Sequence, residues 1–205
     1  AYTRLAPVLK ADFKALDELD EDERNAWMKS VYLDNPAEGR DEFFEYIWSR
    51  LNQLLRSIHV MTAVCLENMK LFGAEGTRYL ELQTGYYGWR DEKDKPLSPE
   101  AATAVWEVML SSPEARETGV TVRFQHTVIR FMDNAEEQVE GAFAHLDRYR
   151  DLWVGINMAG REDDNRGYPR RFTEVYDRML RRYPGINISI HAGEAEKADS
   201  NIFDT

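Results

Sequence analysis

Apolar residues along the chain follow two alternating patterns, one typical of strands and one typical of helices. Short runs of aliphatic and aromatic residues at 77–83, 120–126, 152–158 and 186–191 predict four strands. Residues 41–72 repeat apolar positions at intervals of three and four, which predicts two amphipathic helices joined near 57–59. The same intervals predict helices at about 99–110, after Asp133, and at about 168–183.

Two of the predicted helices carry terminal signals and a clear inward face. Asp133 and Asn134 can cap the helix that follows them, and Pro184-Gly185 ends the helix at 168–183. The residues expected to face the core are Val139, Ala142, Phe143 and Leu146 in the first helix, and Phe172, Val175, Tyr176 and Met179 in the second.

The strands recur at the period of a βα unit. Their starts near residues 78, 121, 152 and 186 lie 43, 31 and 34 residues apart, which predicts a parallel sheet in an open doubly wound fold or a (β/α)₈ barrel. The chain has neither Gly-x-Gly-x-x-Gly after the first strands nor Gly-x-x-x-x-Gly-Lys, so the phosphate-binding open folds lose support. We expect an acidic helical region at 1–40 and a partial barrel at 41–205.

Composition limits the possible partners. The 205 residues carry a formal net charge of −11, which leaves no surplus of Lys and Arg to neutralise phosphates. We therefore do not expect the protein to bind nucleic acid, and we expect a small molecule as its ligand. No apolar run approaches the roughly 20 residues of a membrane span, and the first residues form no secretion signal. We expect a soluble protein with no membrane partner, and the compartment stays open between cytoplasmic and periplasmic or secreted. Cys65 is expected to be a small buried hydrophobe.

His191 and Glu194 are the residues best placed for chemistry. His191 ends the last predicted strand and Glu194 follows three positions later, so both side chains can reach one cavity at the carboxyl end of a sheet. Imidazole binds zinc, and a neighbouring carboxylate can move the proton of a water molecule. Gly160 follows the preceding strand, where it either makes a tight turn or presents its N–H to a ligand. His-x-x-Glu alone is a weak signal of a metal site.

Longer stretches around these residues carry a family resemblance. VGINMAGRE at 154–162, ISIHAGE at 188–194 and DSNI at 199–202 are similar to the central part of the adenosine deaminase family, which comprises zinc-dependent (β/α)₈ purine deaminases. The similarity continues upstream through 43–67, 76–81 and 119–123, so it runs from about residue 40 to 205. RYPG at 182–185 more closely resembles the branch of adenosine deaminase growth factors and their bacterial relatives.

The resemblance implies roles for particular residues. His191 matches a zinc ligand, and Glu194 matches the carboxylate that assists water addition and protonates a purine ring nitrogen. Gly160 matches the glycine whose N–H meets the purine. The apolar cluster formed by Phe43, Phe44 and Ile47 falls where the lid helix of the family closes over the nucleoside, although these residues are equally explained as core.

The chain also departs from the family pattern. Asn157 stands where the family often has Asp, and the histidines are His59, His126, His145 and His191, with no His-x-His pair among them. The later loops with another catalytic histidine and paired aspartates are not found either. We therefore interpret the chain as the second to fifth βα units of a barrel, inactive alone, which missing barrel segments or a complementing chain would complete.

Other polar and aromatic residues have structural explanations. Tyr86, Tyr87 and Trp89 can shape a pocket mouth, but packing of a long loop is the stronger interpretation. His126 can face the cavity, but a hydrogen-bonded buried residue is the stronger interpretation, while His59 and His145 are expected to be structural or exposed.

The leading functional prediction is a zinc-dependent aminohydrolase that converts adenosine to inosine and ammonia, with Zn²⁺ bound in the complete enzyme. Two alternatives stay open. One is a non-catalytic barrel remnant that serves as a binding or signalling module. The other is an amidohydrolase of a different substrate.

Overall fold

The computed structural model describes residues 18–31, 33, 39, 43–162, 167–194 and 201–205. Its helices are α1 Glu21–Lys29, α2 Trp48–Leu54, α3 Ile58–Ala74, α4 Pro99–Leu110, α5 Pro113–Glu117, α6 Ala135–Arg148, α7 Thr173–Arg182 and α8 Asn201–Asp204. Its strands are β1 Tyr79–Thr84, β2 Thr121–Ile129, β3 Trp153–Ala159 and β4 Asn187–Ile190. A π-helical turn at Phe43–Ile47 precedes α2, and a 3₁₀ turn at Pro169–Phe172 precedes α7.

The chain divides into two compact units. One contains residues 1–65 and 88–98, and the other contains residues 66–87 and 99–205. The first unit holds α1, which begins with a capping box: Asp20 accepts from the backbone N–H of Glu23, whose side chain accepts from the N–H of Asp20. Among the described residues of both units, no helix is long and apolar enough to span a membrane.

The helical region after residue 41 is interrupted at nearly the predicted place. The predicted junction near 57–59 is observed between α2 and α3, where Ser57 forms an isolated bridge with Arg90. Arg90 donates its N–H to the carbonyl of Arg56 at 2.9 Å and accepts from the N–H of Ile58 at 3.2 Å. The helix is interrupted here because the carbonyl of Arg56 and the N–H of Ile58 form hydrogen bonds with Arg90 instead of with residues of a continuous helix.

The second unit contains a parallel sheet with the strand order β1-β2-β3-β4. Sequential order without reversal is the arrangement of a barrel segment, whereas a doubly wound sheet reverses at a switch point. The predicted strands and their parallel pairing are confirmed, as is the α/β class. This sheet with its flanking helices is consistent with a partial barrel.

The two faces of the sheet differ in polarity. Val122, Phe124, His126 and Val128 alternate along β2 and are fully buried, while the residues between them are partly exposed. Helices cover the buried face: the Trp106 ring of α4 lies 4.7 Å from that of Phe124. The opposite face is polar, with Glu81, Gln83, Gln125 and Asn157 along three neighbouring strands. Side chains for chemistry are therefore available on that face.

The inward faces of α6 and α7 are confirmed. All eight predicted positions are buried, and the ring of Phe143 in α6 lies 6.2 Å from that of Tyr176 in α7. The cap of α6 differs from the prediction. Asn134 occupies the N-cap position, but its side-chain oxygen accepts a hydrogen bond from Gln138 at 2.8 Å instead of from the helix backbone. A longer amide side chain thus competes for the capping oxygen.

Several smaller features complete the fold. Cys65 is buried as expected, and its burial raises the pKa of the thiol to about 11. The short helix α5 was not predicted, although Ser112 caps it and Pro113 begins it, which is a recognised helix-start pattern. The predicted helix at 168–183 is a 3₁₀ turn followed by α7.

Candidate active site

The ends of β2, β3 and β4 bring three polar side chains together on the polar face of the sheet. Nδ1 of His191 lies 2.8 Å from Oδ1 of Asn157, and Nδ2 of Asn157 donates to Oγ1 of Thr127 at 3.1 Å. An amide oxygen only accepts, so the proton of a neutral His191 ring belongs on Nδ1. Nε2 then keeps its lone pair, which is the state a metal ligand needs.

A buried ion pair lies beside this row of side chains. Arg130 directly follows β2, and its Nη1 is 3.5 Å from Oε1 of Glu162 in the loop after β3. Oε2 of Glu162 accepts hydrogen bonds from the N–H groups of Gly193 and Glu194, at 3.0 and 2.9 Å. Arg130 Nη2 donates to the carbonyls of Met158 and His191. The pair therefore connects three consecutive strand-end loops.

Sequence reasoning assigned no role to Arg130 or Glu162. Glu162 is only the last residue of the family-like stretch at 154–162, and Arg130 belongs to none of the stretches that carry the resemblance. Their burial is the unusual property, since their exposed fractions are 1% and 2%, and charged residues are rarely that buried unless they are paired. The available signal was position: each lies just after a predicted strand that ends at the same edge of the sheet.

The backbone of Gly160 has a positive φ, which suits the tight turn that was one of its two predicted explanations. Its φ is +106°, and a Cβ there would lie 2.9 Å from the ring of Phe131. The backbone conformation and the close ring together exclude a side chain. Contact of the Gly160 N–H with a ligand stays a prediction.

The proposed lid residues belong to the other compact unit. Ile47 is buried at 6% exposure, while Phe43 and Phe44 are half-buried and their rings contact each other edge to face, with centroids 5.4 Å apart. The ring of Phe43 also lies 6.0 Å from that of Trp48. These contacts suit core packing, and the substrate-binding role of the three residues stays a prediction.

His126 does not lie with the strand-end polar residues. His126 and Thr127 are neighbours in β2, so their side chains point to opposite faces of the sheet. The side chain of His126 therefore lies on the helix-covered face. Its Nδ1 accepts the backbone N–H of Tyr86 at 3.2 Å, while Nε2 has no hydrogen-bond partner among the described residues. Burial, and secondly the charge of His145, lower the pKa of His126 to about 3. His126 is therefore buried, as the preferred interpretation predicted, but within the described ranges only Nδ1 of its two ring nitrogens has the predicted hydrogen bond.

The remaining histidines and loop aromatics are structural or exposed, as expected. His145 is buried, its Nε2 lies 3.1 Å from Thr103 Oγ1, and its ring stacks on Tyr86 with 4.3 Å between centroids. Burial is the main cause that lowers the pKa of His145 to about 4. Tyr86 therefore packs a loop, as the stronger interpretation held. His59 is half-exposed beside Glu92.

These strand-end contacts agree with the comparison against known families. The profile described as adenosine deaminase matches residues 11–202. The chain belongs to the adenosine deaminase family. No individual curated protein matches it. Membership makes the chain part of a family of metal-dependent aminohydrolases and confirms the family resemblance, although it does not distinguish the growth-factor branch.

The residues described fit one position of the metal site of such a family. His191 presents Nε2 with a fixed tautomer, which suits a zinc ligand. Within the described ranges, no group of three or more His, Cys, Asp or Glu side chains could hold a metal ion together. A zinc site needs three or four protein ligands, so the described residues alone do not form one.

Proposed function

We propose that this chain is part of a zinc-dependent aminohydrolase that converts adenosine to inosine and ammonia. The observation that carries the proposal is the His191–Asn157–Thr127 row, which leaves Nε2 of His191 available as a ligand at a strand end. Membership of the adenosine deaminase family supports the reaction class. We also propose that the chain belongs to the branch of adenosine deaminase growth factors, and this part of the proposal rests on residues 182–185 alone.

Each residue of the candidate site has a proposed task. His191 would hold zinc through Nε2, and zinc supplies a nucleophilic water at neutral pH. Glu194 would take a proton from a water molecule and deliver it to a ring nitrogen of the purine. Gly160 donates its N–H to the purine. The water oxygen would add to the carbon that bears the amino group. The second proton of the water would then move to the amino group, the C–N bond would break, and ammonia would leave as the carbonyl forms.

The lid proposal concerns Phe43, Phe44 and Ile47, which would close an apolar surface over the nucleoside. Two half-buried aromatic rings in a short irregular helical turn support it. Exclusion of water strengthens the electrostatic contacts inside a closed site. Substitution of Phe44 by Ala should raise KM for the nucleoside.

We also propose that further polypeptide completes the barrel, from the same chain or from a partner. In the described sheet, β1 and β4 each pair on one side only, and parallel sheets are normally covered or closed. The polar face that bears His191 would then become the inside of the barrel. The net charge of −11 gives no support for nucleic acid as a partner.

The test is an assay of ammonia release by the intact, zinc-loaded protein with adenosine, adenine and AMP. Release from adenosine, with loss of its characteristic absorbance, is the expected result. Release from AMP or adenine alone would favour another substrate within the same reaction class. No release from any of the three would favour a non-catalytic barrel remnant.

A further inference from the structure

The segment 191–194 lies outside the strands and helices. The N–H of His191 still donates to the Met158 carbonyl of β3 at 3.0 Å, but the His191 carbonyl and the N–H groups of Gly193 and Glu194 pair with side chains. Two charged side chains provide these hydrogen bonds from opposite ends. The guanidinium of Arg130 donates to the carbonyl of His191, and the carboxylate of Glu162 accepts from the N–H groups of Gly193 and Glu194. One buried pair thus holds both the start and the end of the tetrapeptide.

A buried ion pair stabilises a fold only when hydrogen bonds offset the loss of hydration of both charges. Burial indeed lowers the pKa of Arg130, and the charges of Glu162 and then Glu194 act in the opposite direction. The geometry supplies only part of these hydrogen bonds: among the described residues, Nε of Arg130 and Oε1 of Glu162 are buried without one. The bonds that are made lie mostly on the segment 191–194. Because those bonds are made to residues 191–194, the pair orders this loop in particular and not the fold as a whole.

The surroundings of Arg130 are shaped to fit its side chain. A Cβ on Gly167 would lie 2.8 Å from Cγ of Arg130, so only glycine leaves room for its aliphatic stem. Arg171 binds the loop from outside: its Nη1 donates to the Arg130 carbonyl at 3.3 Å, and its Nε donates to Glu136. The backbone and the side chain of Arg130 are therefore both held in place.

We propose that Arg130 and Glu162 are a positioning pair that fixes the direction in which His191 and Glu194 project. Neither side chain of the pair touches a reacting atom, and the pair acts through the backbone of residues 191–194. This assignment rests on the proposed aminohydrolase function for its effect on catalysis, but its effect on the loop is independent of that function.

Hydrogen exchange of the Gly193 amide in ¹⁵N-glycine-labelled intact protein tests the loop directly. Glu162→Gln keeps the shape of the side chain but removes the charge. The Gln oxygen can still accept from the Gly193 N–H, but the hydrogen bond to a neutral amide is weaker than one to a carboxylate, so exchange at Gly193 should accelerate about tenfold. Gly155 in β3 should change less than about twofold. Glu140→Gln, which removes an exposed ion pair with Arg178 on α6 and α7, is the matched control and should change neither.

Two results of that measurement would overturn the proposal. One is unchanged exchange at Gly193 in Glu162→Gln. The other is equal acceleration at Gly155 and Gly193, because the pair would then stabilise the fold without acting specifically on the loop. Arg130→Lys keeps the charge but cannot make the same forked contacts. It should accelerate Gly193 exchange less than Arg130→Met does, and an equal effect would contradict the forked geometry.

Turnover separates this proposal from the proposed function. If wild-type protein releases ammonia, Glu162→Gln should lower kcat at least about tenfold with KM within about threefold, because a misplaced proton carrier slows the step without weakening binding. An unchanged kcat would overturn the positioning role. If wild-type protein releases no ammonia, the proposed function fails, and the exchange result at Gly193 still decides whether the pair holds the loop.

Discussion

Asn157 decides which nitrogen of His191 is available to a ligand. Its side-chain oxygen fixes the imidazole from one side, and its own orientation is fixed by Thr127. The family often has Asp at this position, and either residue offers an oxygen acceptor to Nδ1. The departure at Asn157 therefore preserves the orienting contact while it removes a buried charge.

Replacement of Asn157 tests this contact. Asn157→Leu removes the acceptor, so the affinity of the intact protein for zinc should fall about 10- to 100-fold, as for other residues that orient metal ligands. Asn157→Asp keeps the acceptor and should stay within about threefold of wild type. Competition with a chromogenic chelator measures both affinities. Equal affinities for Asn157→Leu and wild type would show that the contact does not orient the ligand.

His126 gives the fold a defined response to acid. Its pKa is lowered from 6.5 to about 3 in the folded protein, so below pH 6.5 the unfolded chain binds a proton that the folded chain does not. The free energy of unfolding should therefore fall as the pH drops from about 6.5 towards 3. This residue alone should account for about 2 kcal/mol between pH 7 and pH 5.

His126→Asn keeps an acceptor for the N–H of Tyr86 but does not titrate. The difference in its free energy of unfolding between pH 7 and pH 5, from urea denaturation, should be smaller than that of wild type by about 2 kcal/mol. His145, with its pKa lowered to about 4, leaves a residual dependence of the same sign. A variant with the same pH dependence as wild type would contradict the assignment to His126.

At the scale of elements, periodicity predicted the parts that bury one face. The strands, the parallel pairing, α4 at Pro99–Leu110 and the inward residues of α6 and α7 all follow from where apolar side chains recur. The junction between α2 and α3 was also predicted, near 57–59, but the contact that fixes it was not. The break before α3 depends on Arg90, more than 30 residues away along the chain, and no local pattern encodes such a contact.

Phe143 shows how much α6 depends on its inward face. Its side chain is fully buried and contacts the rings of Tyr176 and Tyr183. Phe143→Ala should lower the free energy of unfolding by about 3–5 kcal/mol, because it leaves a cavity between two helices. Val108→Ala, at a position that is 74% exposed on α4, should change it by less than about 0.5 kcal/mol. Similar losses in the two variants, measured by urea denaturation, would contradict this packing.

At the scale of the whole molecule, the candidate site forms because three parallel strands end at one edge. Sequence reasoning found His191, Glu194 and Gly160 because their types and spacing carry a family pattern. It missed Arg130 and Glu162 because a buried ion pair between two loops depends on the register of β2 against β3, which the sequence does not show. Charged residues immediately after strands would be the feature to search for in similar chains.

Under the proposed function, Glu194 moves a proton and His191, not Glu194, holds the metal. Glu194→Gln in the intact, zinc-loaded protein tests it by zinc content and adenosine turnover together. We predict that zinc content stays nearly equal to wild type while turnover falls by at least about 10²-fold. Loss of zinc in this variant would make Glu194 a ligand, and retained turnover would remove it from the reaction; either result would contradict the claim.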